Sequence, residues 1–319
     1  MALTLHELRA GDPLPPESAW PRECGARERA EWSWRHAQNP HGRRVFLARD
    51  GERVVGQVAA VPHAGWIGRA AVFAELIGNF ARRGGTGLAR ESLYARLGRA
   101  LAEAYGQPGG DLVHYGIVAG AEWRVVNGLL EGEVVRNLTA LVRAVGDGPR
   151  ELPAGVERLA RFDHQAKWLW DRVAGTNPAI AVRDDAFLNW RFVERPGVAY
   201  ELLGVRDAGG ILRGFVALVV AEFGGQRALW VVDFAVPLEE PEVARFLLEG
   251  AAARARALGE PELATVVPEW SPWFDALQRA GFLVHPLAAF LFARPFARKF
   301  DEVWLRDHWW FTLADTLHI

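Results

Sequence analysis

The most informative stretch of the sequence reads Ala81-Arg82-Arg83-Gly84-Gly85-Thr86-Gly87-Leu88. It lies between apolar residues 71–80, which predict a strand, and residues 88–105, where leucines at spacing four predict a helix. Glycines permit positive φ angles and a close approach of the backbone to a ligand. Successive amide N–H groups at a helix start attract anions, so the stretch predicts a diphosphate cradle with two arginines beside it.

Two common nucleotide-binding loops are excluded by the same residues. A Walker loop needs Lys followed by Ser or Thr after its last glycine, whereas Leu88 and Ala89 stand here. A dinucleotide-binding fingerprint needs two residues between its last glycines and an acidic residue after the next strand, and neither is present.

An internal repeat extends the analysis to the whole chain. Residues 34–42 read WRHAQNPHG and residues 190–197 read WRFVERPG, so Trp34 and Pro40 recur 156 residues later as Trp190 and Pro196. In each copy a helical segment ends near the Trp-Arg pair, and a predicted β-hairpin follows, over 45–60 and 200–220. The matched features make duplication a better explanation than chance.

The remaining elements are predicted in the same order in both halves. After the hairpin come an apolar strand, a long helix, a strand, a short helix and a final strand, ending near residues 142 and 293. The sequence therefore predicts an α/β (α+β) fold class with two consecutive mixed-sheet domains related by internal duplication. The predicted boundaries are 1–148 and 149–296, with an aromatic tail, residues 297–319, packed on the second domain.

The spacing Arg-x-x-Gly-x-Gly, here Arg82, Gly85 and Gly87, resembles the pyrophosphate-binding motif of the GNAT (N-acetyltransferase) superfamily. Both halves are also similar to its order of elements, which suggests a tandem-GNAT architecture. The resemblance implies acetyl-CoA or another acyl-CoA as co-substrate, without a metal. The pantetheine arm would lie along the bulged strand near Ile77 and Gly78, and the diphosphate on the amides of the glycine-rich stretch. The binding residues that it implies are Ile77, Gly78, Arg82, Arg83, Gly84, Gly85, Thr86, Gly87 and Leu88.

The second half differs at the equivalent place, residues 234–242, which read FAVPLEEPE. It contains no glycine, two prolines remove amide donors, and three glutamates would repel a diphosphate. The sequence thus predicts a single CoA site, in the first half.

Catalytic candidates follow from the chemistry of acyl transfer, which needs a group that accepts a proton from the amine. Glu75 on the predicted central strand is the best candidate for a base, and His114 or Tyr115 on the neighbouring strand should face the same cleft. Glu75 could instead pair with an arginine, and His114 could be a buried core histidine. Many GNAT enzymes have a tyrosine acid where Gly128 and Leu277 stand here, so that group is missing.

Composition excludes several other classes of protein. The 319 residues carry a formal charge of −2, which gives no global basic field for nucleic acid or an anionic membrane. Cys24 is the only cysteine, which excludes internal disulfides and thiolate zinc sites, and His36 and His41 lack a third ligand. The first residues do not resemble a signal peptide, so we expect a cytoplasmic protein.

Three functions remain open at this stage. The first is an N-acyltransferase acting on a small amine, and residues 310–316 resemble the ends of GNAT-like proteins of bacterial polysaccharide clusters, which favours an amino sugar. The second is a catalytically silent acyl-CoA-binding protein, since the usual acid is missing. The third is a Fem-like aminoacyl transferase, although the acidic balance argues against a tRNA partner. We expect no nucleic acid and no membrane partner, and the oligomeric state stays open.

Overall fold

The computed structural model describes residues 3–9, 11–16, 19–20, 26–81, 90–120 and 123–319. The strands in chain order are β1 Leu3–Glu7, β2 Arg44–Asp50, β3 Arg53–Trp66, β4 Ala70–Leu76, β5 Phe80–Ala81, β6 Val113–Val118, β7 Glu133–Ala144, β8 Val156–Arg158, β9 Ala179–Ala181, β10 Glu201–Arg206, β11 Leu212–Phe223, β12 Gln226–Ala235, β13 Glu262–Thr265, β14 Leu283–Pro295 and β15 Trp309–Trp310. The α-helices are α1 Ala26–Trp32, α2 Arg90–Tyr105, α3 Trp123–Leu130, α4 Gln165–Ala174, α5 Asp185–Leu188, α6 Pro241–Leu258, α7 Pro272–Arg279 and α8 Glu302–His308.

One mixed sheet runs through both halves of the chain. Its order is β1-β2-β3-β4-β6-β14-β7-β13-β12-β11-β10-β8. The path has the same pattern from either end, because the parallel pair β4–β6 corresponds to the parallel pair β12–β13 and the neighbouring pairs are antiparallel. The mixed α/β class predicted from the sequence is confirmed.

The last strand of each half is exchanged with that of the other half. β14 pairs antiparallel with β6 of the first half, β7 pairs antiparallel with β13 of the second half, and β7 and β14 pair with each other. The sequence placed each final strand in its own half, and the structure corrects this. The exchange leaves no open sheet edge between the halves, because every strand at the centre has a partner on both sides.

Both halves also repeat a short π-helical turn at the duplicated tryptophan. Ser33–Ala37 follows α1 and Asn189–Val193 follows α5, and each turn has the tryptophan as its second residue. A helix was predicted to end at each Trp-Arg pair, and the chain does leave the helical conformation directly after these turns. No helix in the described part of the chain is long and apolar enough to cross a membrane.

The two faces of the first half of the sheet have different surroundings. Ala74 and Leu76 of β4 pack against the leucine side of α2, as the leucine spacing predicted. Because side chains alternate along a strand, Phe73 and Glu75 point to the opposite face. Phe73 belongs there to a large core that contains residues of both halves, including Trp190.

The tail segment, defined as residues 297–319, contacts both halves of the chain. β15 pairs in parallel with β9, and the ring centroid of Trp309 lies 5.2 Å from that of Phe73 and 4.9 Å from that of Tyr115. Residues 309–317 are all buried. The sequence predicted that the tail packs on the second half; its contacts extend to the first half as well.

Candidate active site

The strands β4 and β6 separate immediately after Glu75. They pair in parallel from Phe73 with Val113 to Glu75 with Tyr115, and β4 ends one residue later. The chain turns at Gly78, which has a φ of 71°, and returns to pair with β3 as β5. The strand predicted over residues 71–80 is thus interrupted at Ile77 and Gly78, where the resemblance implied a bulge.

Side chains take the place of the interrupted strand ladder around the turn. The amide N–H of Ala59 donates to Oδ1 of Asn79 at 2.7 Å, and Nε2 of Gln57 donates to the carbonyl of Gly78 at 2.8 Å. Oε1 of the same Gln57 accepts from the indole N–H of Trp32 at 2.9 Å. These bonds fix the broken strand against α1 and hold the backbone at Gly78 in one orientation.

Gly78 also lies against an arginine of the first π-helical turn. A Cβ on this residue would lie 2.7 Å from Nη1 of Arg35, and the φ of 71° is one that other residues rarely adopt. The conformation therefore favours glycine here, and a Cβ would also require the end of the Arg35 side chain to shift.

A cavity of about 420 Å³ opens beside this turn. It is bounded by residues of the N-terminal segment, of α1 with its π-helical turn, and of β3 and β5. The lining residues are Leu14, Pro15, Trp20, Glu28, Arg29, Glu31, Trp32, Arg35, Gln57, Gly78 and Phe80.

Glu75, the predicted base, is completely buried beneath the tail segment. Its Oε1 accepts from the Thr316 hydroxyl at 2.5 Å, and its Oε2 accepts from the amide N–H of Leu317 at 3.0 Å. Burial raises the pKa of Glu75 to about 7, although these hydrogen bonds and the charges of Arg35 and Arg191 act in the opposite direction. The carboxyl group therefore titrates near neutral pH, but it is occupied by the tail.

Tyr115 lies beside Glu75 on the same face of the sheet. Its hydroxyl donates to the carbonyl of Asp315 at 2.5 Å, and burial raises its pKa well above the ordinary value of 10.0. The phenol stays protonated at neutral pH and, like Glu75, is engaged by the tail segment.

His114 lies on the opposite face of the sheet, since it pairs with Ala74 rather than with Glu75. Its Nε2 lies 3.1 Å from Oδ2 of Asp111, its ring packs edge-on against Phe296, and burial lowers its pKa. Of the two neighbours that the sequence singled out, Tyr115 is brought to Glu75 and His114 is not.

The second half places an ion-paired cluster at the corresponding strand. Asp233 of β12 accepts from Nε of Arg183 at 2.8 Å and from the hydroxyl of Thr312 at 3.0 Å. Asp315 lies 2.9 Å from the same guanidinium group. Asp233 therefore has a structural role in this cluster.

Solved structures share this arrangement of elements. One is a conserved protein of unknown function from Enterococcus faecalis V583, described as a probable N-acyltransferase, with 12% identity and a TM-score of 0.60 over 93% of this chain and 73% of that chain. Another is a tandem GNAT protein from the clavulanic acid biosynthesis pathway, with 16% identity and a TM-score of 0.52 over 93% and 99%. The chain has the GNAT fold. The N-myristoyltransferase of Saccharomyces cerevisiae with bound myristoyl-CoA is also similar, with 12% identity and a TM-score of 0.54 over 91% and 82%. No protein-family model and no curated protein matches the sequence.

Of the predicted CoA-binding residues, only Ile77 and Gly78 lie among the residues that the structure describes. Ile77 is buried and Gly78 forms the turn described above. Arg82, Arg83, Gly84, Gly85, Thr86, Gly87 and Leu88 lie outside the described residues, so their predicted role stays a prediction. Among the described residues, no group of three or more His, Cys, Asp or Glu side chains could hold a metal ion.

Arginines that follow the duplicated tryptophans are the residues that the sequence analysis missed. Arg35 lines the cavity in the first half. Arg191, fully buried, donates to the carbonyls of Thr316 and Ile319 at 2.8 Å each. The signal was present, because the repeat contains Trp-Arg in both copies. The two arginines nevertheless have different partners, which only the structure assigns.

Proposed function

We propose that this protein is an N-acyltransferase that moves an acyl group, most simply acetyl, from acyl-CoA to a small amine or amino sugar. The observation that carries the proposal is the separation of β4 from β6 at Glu75, followed by the glycine turn at residue 78. In a GNAT fold this break directly precedes the segment predicted to hold a diphosphate. The Saccharomyces protein with the same fold binds myristoyl-CoA, which supports an acyl-CoA ligand for this one.

The residues around the break suit such a ligand. Gly78 has no side chain to obstruct an extended arm, and the adjacent cavity of about 420 Å³ is large enough for a small acceptor. In the proposed reaction the amine nitrogen attacks the thioester carbon, the C–N bond forms and the C–S bond breaks. Sulfur leaves as a thiolate and takes up the proton that nitrogen loses, so the products are an amide and CoASH.

Glu75 is the proposed acceptor of that proton. A carboxyl group with a pKa of about 7 can take up and release protons at neutral pH. Both of its oxygens accept hydrogen bonds from Thr316 and Leu317, so proton transfer through Glu75 requires this part of the tail to move. The same observation favours a second candidate function, an acyl-CoA-binding protein without turnover.

Calorimetry with acetyl-CoA tests the binding that both candidates require. We expect micromolar affinity for the wild-type protein and its loss in Gly85→Glu, because a carboxylate in the glycine-rich stretch would repel the diphosphate. The matched control is Gly146→Glu, which adds the same charge at an exposed residue with free space around it. Absence of binding, or equal effects of the two substitutions, would contradict both candidates.

Release of CoASH separates the two candidates. Acetyl-CoA is incubated with a panel of amino sugars, polyamines and amino acids, and free thiol is measured. An enzyme releases thiol with at least one acceptor and loses this activity in Glu75→Gln while acetyl-CoA affinity is retained; Glu52→Gln, at an exposed turn, is the control. Binding without release for any acceptor supports the silent binding protein.

A further inference from the structure

The cavity beside Gly78 has its neutral polar groups already satisfied by one another. The indole N–H of Trp20 donates to the carbonyl of Pro15 at 3.2 Å, and that of Trp32 donates to Gln57 at 2.9 Å. The amide of Gln57 in turn donates to the carbonyl of Gly78. A ligand that needs many neutral hydrogen-bond partners, as a sugar does, would therefore have to break existing bonds in this wall.

Arg35 differs from these groups because it keeps unused donors. Its Nη2 donates to Oε1 of Glu31 at 2.8 Å, whereas its buried Nε has no hydrogen-bond partner among the described residues. No partner is found for Nη1 in the described parts of the chain either, although this atom lies against Gly78. Among the described residues, Nη1 thus keeps N–H donors that could bind a carboxylate, and guanidinium groups bind carboxylates well.

Arg35 shares its ion-pair partner with a second arginine. Glu31 is shared, because the same Oε1 that Arg35 contacts also lies 3.4 Å from Nη2 of Arg195. Glu28, the other carboxylate of the cavity, precedes Arg35 by seven residues, which is about 10 Å along a helix. The buried Glu75 is the second acidic group that acts electrostatically on Arg35. Because its pKa is about 7, it neutralises Arg35 only in part at neutral pH.

The rest of the wall is aromatic. Trp20 and Trp32 lie with ring centroids 5.3 Å apart at an interplanar angle of 59°, and Phe80 of β5 completes this side of the cavity. Rings at this angle form an apolar corner that fits a flat or branched apolar group.

We propose that the cavity binds an amine that also carries a carboxylate and an apolar side chain, that is, an apolar or aromatic α-amino acid. The carboxylate pairs with Nη1 of Arg35, and the side chain packs against Trp20, Trp32 and Phe80. As the acceptor of an acyl group this ligand rests on the proposed function; as a ligand of the cavity it does not.

Pairs of ligands that differ only in the carboxylate test the proposal without acyl-CoA. L-phenylalanine is compared with phenethylamine, and L-tryptophan with tryptamine, by saturation-transfer NMR titration; glucosamine is the sugar probe. We expect each amino acid to bind at least tenfold more tightly than its decarboxylated partner, and glucosamine to bind more weakly than either amino acid. Arg35→Gln removes the preference, Arg35→Lys retains part of it, and Arg53→Gln, at an exposed residue of β3, leaves it unchanged.

Several outcomes would overturn the inference: equal binding within the pairs, a preference that survives Arg35→Gln, or preferred binding of glucosamine. Because the wild-type comparison already decides the first and third, the test does not depend on the folding of a variant. If acetyl-CoA does not bind but the amino acids do, the proposed function fails and the cavity assignment stands. If acetyl-CoA binds and the two members of each pair bind equally, the cavity assignment fails and the proposed function stands.

Discussion

Trp34 and Trp190 stack on each other between the two halves of the chain and exchange hydrogen bonds. Their ring centroids are 4.7 Å apart at an interplanar angle of 16°. The indole N–H of Trp34 donates to the carbonyl of Trp190 at 2.8 Å, and the N–H of Trp190 donates to the carbonyl of Trp34 at 3.0 Å. Reciprocal contacts between equivalent residues are those of a two-fold related interface. The two copies of the repeat therefore contact each other through the duplicated tryptophan.

The tryptophan pair should be energetically coupled. We expect Trp34→Phe and Trp190→Phe each to lower the free energy of unfolding by about 2 kcal/mol, since each removes buried area and one hydrogen bond. The double variant should lose less than the sum of the two, because the single variants disrupt the same stack. Urea unfolding measures all three, and Trp168→Phe, at a side chain that is 53% exposed, should change little. Strict additivity would contradict the coupling.

Replacement of Gly78 by alanine should destabilise the protein more than the same replacement at Gly68, which has a similar backbone conformation. Gly68 has a φ of 77° and free space around it, so Gly68→Ala should cost only the strain of the conformation, about 1 kcal/mol. Gly78→Ala also requires the end of the Arg35 side chain, which is bonded to Glu31, to shift, and we expect it to cost more and to weaken acetyl-CoA binding. Urea unfolding and calorimetry compare the two variants. Equal losses of stability would show that the contact with Arg35 is unimportant.

Glu75 should make stability depend on pH near neutrality. Its pKa is about 7 in the folded protein against 4.5 for the free group, so the folded protein keeps a proton that the unfolded chain releases. The stabilisation is complete below pH 4.5 and is lost as pH rises to 7, by about 3 kcal/mol. The difference in unfolding free energy between wild type and Glu75→Gln should change by this amount over that range. A flat difference for Glu75→Gln would contradict the assignment.

Arg191 should hold the tail segment in place. Replacement by Met, which is similar in length but has no donors, leaves the carbonyls of Thr316 and Ile319 without this partner. We expect a loss of about 3 kcal/mol in urea unfolding and faster proteolysis within the tail. Arg161→Met, at an arginine that is 58% exposed, should cost less than about 0.5 kcal/mol. An unchanged rate of tail proteolysis in the Arg191 variant would contradict this role.

Local patterns predicted the individual elements well. The hairpin predicted over 45–60 and the leucine spacing of α2 are local features, and the structure contains β2, β3 and α2 where these features predicted them. The exchange of β7 and β14 was not predictable, because both strands have the same alternation and either could complete either half. The bulge near Ile77 and Gly78 was expected only from the resemblance, since an apolar stretch has the same appearance whether or not its ladder is interrupted.

At the candidate site, too, some features follow from the sequence and others only from the tertiary structure. The sequence by itself determined that Glu75 and Tyr115 lie on adjacent strands, that the chain is duplicated around Trp34 and Trp190, and that a glycine-rich stretch follows a strand. Periodicity, glycine content and the offset of the repeat can all be read directly from the sequence. Only the tertiary structure decided that Thr316 and Leu317, more than two hundred residues from Glu75, occupy its carboxylate. Such a contact depends on where two remote segments meet after both halves have packed, and no local preference of either segment encodes it.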